Sequence, residues 1–267
     1  MLDSPPVPDL LSHLRSVGTV FASFTAQDSG CVAYGVVEPG GARWFVKAAV
    51  TERAVASMER AAALHAAVRH EAIVPQLHRF TAAGLPAVVM PWRDGEVLYH
   101  PTTDGGRGAA VRTDPASPTA RFRSLPVPLV AEALDTVLDA HLAVARAGFV
   151  ACDFYDGCLL YDFARHRLHL CDLDEYRPGP FTVDVDRLPG SKRFMAPEEF
   201  RRGAVIDART TVFTLGRALR LLLDAGDEER DWRGGPARLA VLERATAADP
   251  AERWPGVEEF AAAWRAA

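Results

Sequence analysis

Residues 151–176 read ACDFYDGCLLYDFARHRLHLCDLDEY. The runs CLLYD and RLHL flank the polar turn FARH, and their β-branched, aromatic and aliphatic character predicts two short strands. An acidic loop carrying Asp153 and Asp156 leads into the first strand, and Asp172 and Asp174 follow the second. Carboxylates stand where chemistry can happen, and Cys158 where a metal ligand would be expected.

Toward the N-terminus, CVAYGVV and ARWFVKAAV are joined by EPGG, which predicts a β-hairpin. Thr51–His70 is rich in alanine and free of glycine and proline, so a helix is expected there. LPAVVM reads as a buried strand ending at PWRDG, which completes a small sheet with one helix. From Arg93 to about Pro128 the composition turns to Gly, Pro, Arg, Thr and Asp, and a long irregular connection or insertion is expected, centred on about 98–124. LVAEALDTVLDAHLAVARAG then predicts an amphipathic helix stopped by Gly148, and the chain beyond residue 200 is mainly helical. The fold class is therefore α+β, with a small β-rich lobe over residues 1–92, a larger helical lobe over 93–267, and a binding cleft between them.

With 267 residues, 49% of them hydrophobic, the chain can bury a large core. A net charge of -5 offers no basic field for nucleic acid or anionic lipid, so no nucleic-acid partner is expected. The first residues lack a basic, then apolar, leader pattern, and no apolar run has the length of a membrane span, so a cytoplasmic protein without a membrane partner is expected. Cys31, Cys152, Cys158 and Cys171 are too few and too irregularly spaced for a disulfide framework or a paired zinc site; they read as reduced, space-filling thiols. Only Lys47 and Lys192 among the 30 Lys and Arg residues are lysines, which marks Lys47 as a candidate for a task suited to a compact ammonium.

In this order, the motifs resemble the protein-kinase-like superfamily, above all the bacterial eukaryotic-type Ser/Thr protein kinases, from about residue 20 to the end. Lys47 in WFVKAAV matches the lysine that holds nucleotide phosphates. Gly30, followed by Val32, stands in the place of the glycine-rich loop, with one of its three glycines kept. The resemblance makes Asp153 the aspartate that orients the substrate hydroxyl and takes its proton, and Asp172 the magnesium ligand. Met90 takes the gatekeeper position, with the Pro91 carbonyl and the Arg93 backbone as hinge partners for adenine. Ala196-Pro197-Glu198 closes the activation segment, and Arg253 is the expected buried partner of Glu198.

The departures bear on function. The family's His-Arg-Asp is Ala151-Cys152-Asp153, which removes the arginine that reads an activation-loop phosphate. Tyr155 replaces a catalytic-loop lysine, and Cys158 an asparagine that ligates metal; a thiol is a poor ligand for a hard ion. Asp174, in place of a glycine, offers a substitute oxygen to the metal, as in choline-kinase-like enzymes, or else caps a turn. Phe45 either stacks on adenine, as in aminoglycoside phosphotransferases, or fills core. Counting along the helix places Ala61 where Lys47 expects a glutamate, with Glu59 two residues away. Asp156 and Asp162 read as structural.

The resemblance implies ATP and Mg2+ as cofactors and transfer of the γ-phosphoryl group to a hydroxyl acceptor. GSKRFMAPEEF with Arg253 favours a Ser/Thr protein kinase; Tyr155, DLDEY and Phe45 favour a small-molecule kinase; the sparse glycine loop and Cys158 leave a pseudokinase scaffold as a third reading.

Overall fold

The computed structural model describes residues 7–27, 29–100 and 112–267. The first helix, α1 (Leu10–Val17), was not anticipated by the sequence reading; Asp9 caps it, accepting from the Ser12 N–H at 2.7 Å. After it come β1 (Thr19–Phe24), β2 (Cys31–Val37), β3 (Arg43–Ala49), α2 (Glu52–Ala67), β4 (His78–Ala82) and β5 (Leu85–Pro91). The strands form one antiparallel sheet in the order β1-β2-β3-β5-β4. The EPGG turn joins β2 to β3 as expected, with Gly41 at φ +86° donating its N–H to Glu38 O.

Side chains alternate across a strand, so this sheet has two distinct faces. Tyr34, Val36, Val46, Ala48 and Ala87 pack against Leu10 and Leu14 of α1 on one face. Cys31, Ala49 and Val88 pack against Ala54 and Met58 of α2 on the other. Helix α2 buries Ala54, Met58, Ala61 and Leu64 along one narrow stripe, of which Ala54 and Met58 meet the sheet and Leu64 joins the main core. Thr51 caps it through a 3.3 Å bond from the Ala54 N–H.

The rest of the chain is mainly helical: β6 (Glu96–Val97), α3 (Pro118–Ser124), α4 (Val127–Arg146), β7 (Phe149–Val150), β8 (Leu159–Asp162), β9 (Arg167–Leu170), and later α5 (Ala208–Leu223), α6 (Gly235–Ala245) and α7 (Val257–Ala266). The described chain is thus a mixed α+β protein with a five-stranded antiparallel sheet and seven α-helices. Helix α4 supplies Val130, Leu134, Val137, Leu138 and Val144 to the main core and ends before Gly148 at φ +77°. The expectation of an irregular connection over 93–128 needs correction, because it contains β6 and the whole of α3. Ser117 caps α3 and Pro118 occupies its first position, so the prolines read as loop signals here start helices. The middle of the expected insertion, 101–111, lies outside the described residues.

Two contacts set the frame of the site. Leu170 of β9 donates its N–H to Ala72 O and accepts from Val74 N–H, which ties the connection after α2 to the helical part. Glu198 and Arg253 form a fully buried fork at 2.7 and 2.9 Å, with Thr210 Oγ1 donating to the same carboxylate at 2.8 Å. The expected ion pair is therefore present, and it is fully hydrogen-bonded, the condition under which a buried pair is tolerated. No helix among the described residues is long and apolar enough to cross a membrane.

Candidate functional site

The hairpin β8–β9 pairs Leu159 with Leu170, and Cys171 N–H donates to Cys158 O at 2.9 Å, so the loops before and after it meet. Asp153 and Asp172 sit in these loops with left-handed backbones, φ 54° and 56°. Such conformations are strained for residues with a Cβ and persist where surrounding contacts impose them. Cys158 supplies two of those contacts: its buried thiol lies 3.4 Å from Asp153 O and 3.7 Å from Asp172 O. Burial, reinforced by Asp153 and Asp172, pushes the thiol well above its ordinary range. It remains protonated and clips the loops together.

Lys47 projects from β3 across the cleft. Its Nζ donates to Asp172 Oδ1 at 2.5 Å and Asp174 Oδ2 at 2.6 Å, with the lysine itself only 7% exposed. Burial alone would disfavour the ammonium, but the two carboxylates overcome it and hold Lys47 well above the ordinary lysine range. Lys47 in turn holds Asp172 below the usual carboxylate range, whereas burial pushes Asp174 up against the pull of Lys47.

Among the described residues Lys47 has no acidic partner on α2, as the alanine at position 61 allowed. Ala61 is buried in the helix stripe, and Glu59 faces outward to Arg79 at 2.8 Å. The polarity is reversed: α2 presents Arg60, whose guanidinium bonds Glu175 Oε1, Ser57 Oγ at 2.9 Å and Asp174 O at 3.3 Å. Ser57 Oγ also donates to Glu175 Oε1 at 2.7 Å. Arg60, Ser57 and Glu175 were missed by the sequence reading. The available signal was a basic residue beside Ala61 and an extra acid directly after Asp174.

Around these charges lies a cleft of about 480 Å³, within the size range of small-molecule sites. Lys47, Phe45, Met90, Pro91, Arg93, Asp172 and Asp174 all line it, as the sequence reading expected. Phe45 stands among aromatic neighbours, with ring centroids 5.9 Å from Phe24 and 6.3 Å from Trp92. Trp92 N–H donates to Arg43 O at 3.0 Å, so the Pro91 carbonyl, antiparallel to that N–H across the same planar peptide, faces the other edge of β5. The register of β4 on β5 stops at Val89, short of that edge. Pro91 and Arg93 thus line the cleft, with a backbone acceptor at Pro91 that is free among the described residues.

Of the two residues expected from the glycine loop, Val32 is placed differently and Gly30 lies in the turn where the sequence put it. Val32 pairs with Ala48 and packs with the α1-side cluster, on the sheet face opposite Lys47; Lys47 is paired with Ala33. The reading was one residue out of register, and a one-residue slip reverses the face of a side chain. Gly30 occupies the turn before β2 at φ +74°, where a Cβ would come within 2.2 Å of Thr51 Oγ1; its neighbour Ser29 lines the cleft. It shapes the turn.

Asp153 carries its carboxylate under the segment after residue 188: Oδ1 accepts from Ser191 N–H at 3.1 Å. Asp156 is buried and forked by Arg112 at 2.5 and 2.8 Å, and Asp162 caps the β8–β9 turn by accepting from Ala164 and Arg165 N–H. Both are structural, as expected. All four cysteines are free.

Among the described residues no group of three or more His, Cys, Asp or Glu forms a metal cage. Asp172 and Asp174, brought together on one ammonium, nevertheless fit the pattern of magnesium bound by one or two carboxylates together with substrate phosphates and water. Comparison of the sequence with protein-family models and with curated proteins finds no match.

Proposed function

We propose that the chain is an ATP- and magnesium-dependent phosphotransferase of bilobal, protein-kinase-like fold, moving the γ-phosphoryl group to a hydroxyl. The observation that carries this reading is the convergence of Lys47, Asp172 and Asp174 in a cleft that Pro91 and Arg93 also line. Phosphoryl transfer asks mainly for positioning and charge neutralisation. Lys47 holds phosphate oxygens, exchanging its present carboxylate partners for them. Asp172 and Asp174 would hold magnesium, which neutralises phosphate charge. Asp153 orients the acceptor hydroxyl and takes its proton. Phe45, Phe24 and Trp92 surround the base, and Pro91 O and Arg93 N–H pair with its edge.

A Ser/Thr protein acceptor is favoured by the segment ending at Glu198, pinned by Arg253 and laid against Asp153 through Ser191 N–H. A small-molecule acceptor is favoured by Tyr99, Pro118 and Tyr155, which wall the same cleft. Turnover with γ-labelled ATP decides. Label entering protein, lost by at least about 100-fold in Asp153→Asn, supports the first reading. Label in a small product supports the second. Nucleotide binding with no transfer to any acceptor defeats the enzyme and leaves a pseudokinase.

A further inference from the structure

Tyr155 stands two residues past Asp153 and lines the cleft with Lys47, Asp172 and Asp174. Its ring lies flat over Gly157: a Cβ added there would meet Tyr155 Cε2, Cζ and Oη at 2.3, 2.4 and 2.6 Å. Glycine at 157 is therefore what admits this placement of the ring. Phe194 packs edge-on against it at 6.3 Å between centroids. The hydroxyl forms no hydrogen bond with the described residues, although Cys158, Asp172, Asp153 and Asp156 all act on it electrostatically. Burial, with those charges adding to it, keeps the phenol far above its ordinary range, so it remains a neutral donor at every working pH.

A held donor in an acidic corner, next to the expected base and without an acceptor of its own, is suited to an anionic oxygen supplied by substrate. A cation fixed at this place would instead be drawn onto the carboxylates, as Lys47 is.

We infer that the Tyr155 hydroxyl donates a hydrogen bond to an oxygen of the phosphoryl group during transfer; this rests on the phosphotransferase reading. As the acceptor oxygen bonds to phosphorus, the bond from phosphorus to the bridging oxygen breaks and its electron pair leaves with ADP. The acceptor's proton passes to Asp153. Tyr155 keeps its proton throughout and stabilises charge on the phosphoryl oxygens, a contribution of the kind made by other fixed donors at developing charge.

Tyr155→Phe removes the hydroxyl and leaves the ring. The test is calorimetric binding of Mg·ADP, with and without aluminium fluoride as a mimic of the phosphoryl group in flight, to the full chain and to this variant. The inference expects both proteins to bind Mg·ADP equally, and the variant to lose about tenfold of the extra affinity that fluoride confers. Equal tightening by fluoride in both proteins overturns it. Wild-type protein that binds Mg·ADP but gains nothing from fluoride also overturns it while sparing nucleotide binding. If neither protein binds Mg·ADP, the functional reading itself falls, and the role of Tyr155 with it.

Discussion

At the scale of single residues, Glu199 is a buried carboxyl beside the Glu198–Arg253 pair. It is 1% exposed; Oε2 accepts from Ala196 N–H at 2.7 Å, and Oε1 has no partner among the described residues. Burial pushes its carboxyl up to about 8, with Glu198 and Asp153 adding to the shift. A carboxyl with a raised folded pKa keeps its proton after the unfolded chain has lost one. Stability from this residue is therefore intact below the ordinary glutamate value near 4.5 and is lost as pH rises through about 8, on the order of 4 kcal/mol in all. Glu199→Gln keeps an acceptor for Ala196 N–H and removes the titration. Thermal denaturation is expected to show a variant several degrees more stable than wild type at pH 8.5 and nearly equal to it at pH 5; parallel curves at both pH values contradict this. None of it was legible in the sequence, because APEE reads as one acid after another and only packing separates the paired Glu198 from the orphaned Glu199. Lys47 was legible because lysine is rare here and its strand context is specific. The partnership of Asp174 with Lys47 was not, since it depends on the left-handed turn at Asp172.

At the scale of elements, helix α2 is tied to the site by charge of the opposite sign from the one expected. Arg60 and Ser57 hold Glu175 and the Asp174 carbonyl, and through them the angle at which Asp174 meets Lys47. Arg60→Glu is expected to weaken Mg·ATP binding about tenfold, and adding Glu175→Arg to restore most of it, as a cycle of coupled charges requires. Additive losses in the double variant, read by calorimetry, would mean that the two residues act separately. Of the sheet, the hairpin β2–β3, helix α2 and strand β5 fall where alternation and alanine content put them, whereas the outer strands β1 and β4 were not read. What failed was register. Val32 and Ala33 are both small apolar residues in an apolar run, so the pattern could not say which one shares a face with Lys47; the pairing Ala33 with Lys47 settles it. Helix α3 was missed for a different reason: Pro118, counted among the loop signals of this stretch, opens the helix instead.

At the scale of the whole molecule, the sheet with α2 supplies Lys47 and the aromatic wall, and the helical part supplies the acids. The cleft is lined mainly by residues between 24 and 100 and between 155 and 174, and Leu170, which bonds to both Ala72 and Val74, ties the two stretches together. That convergence is a property of topology, and the sequence announced it only through the order of its motifs. The most direct measurement is calorimetric titration of the full chain with ATP, in magnesium and again in excess chelator. The account predicts a single site with a Kd of about 1 mM or tighter that weakens strongly when magnesium is withdrawn. Absence of binding at several millimolar ATP, or binding indifferent to magnesium, would contradict it.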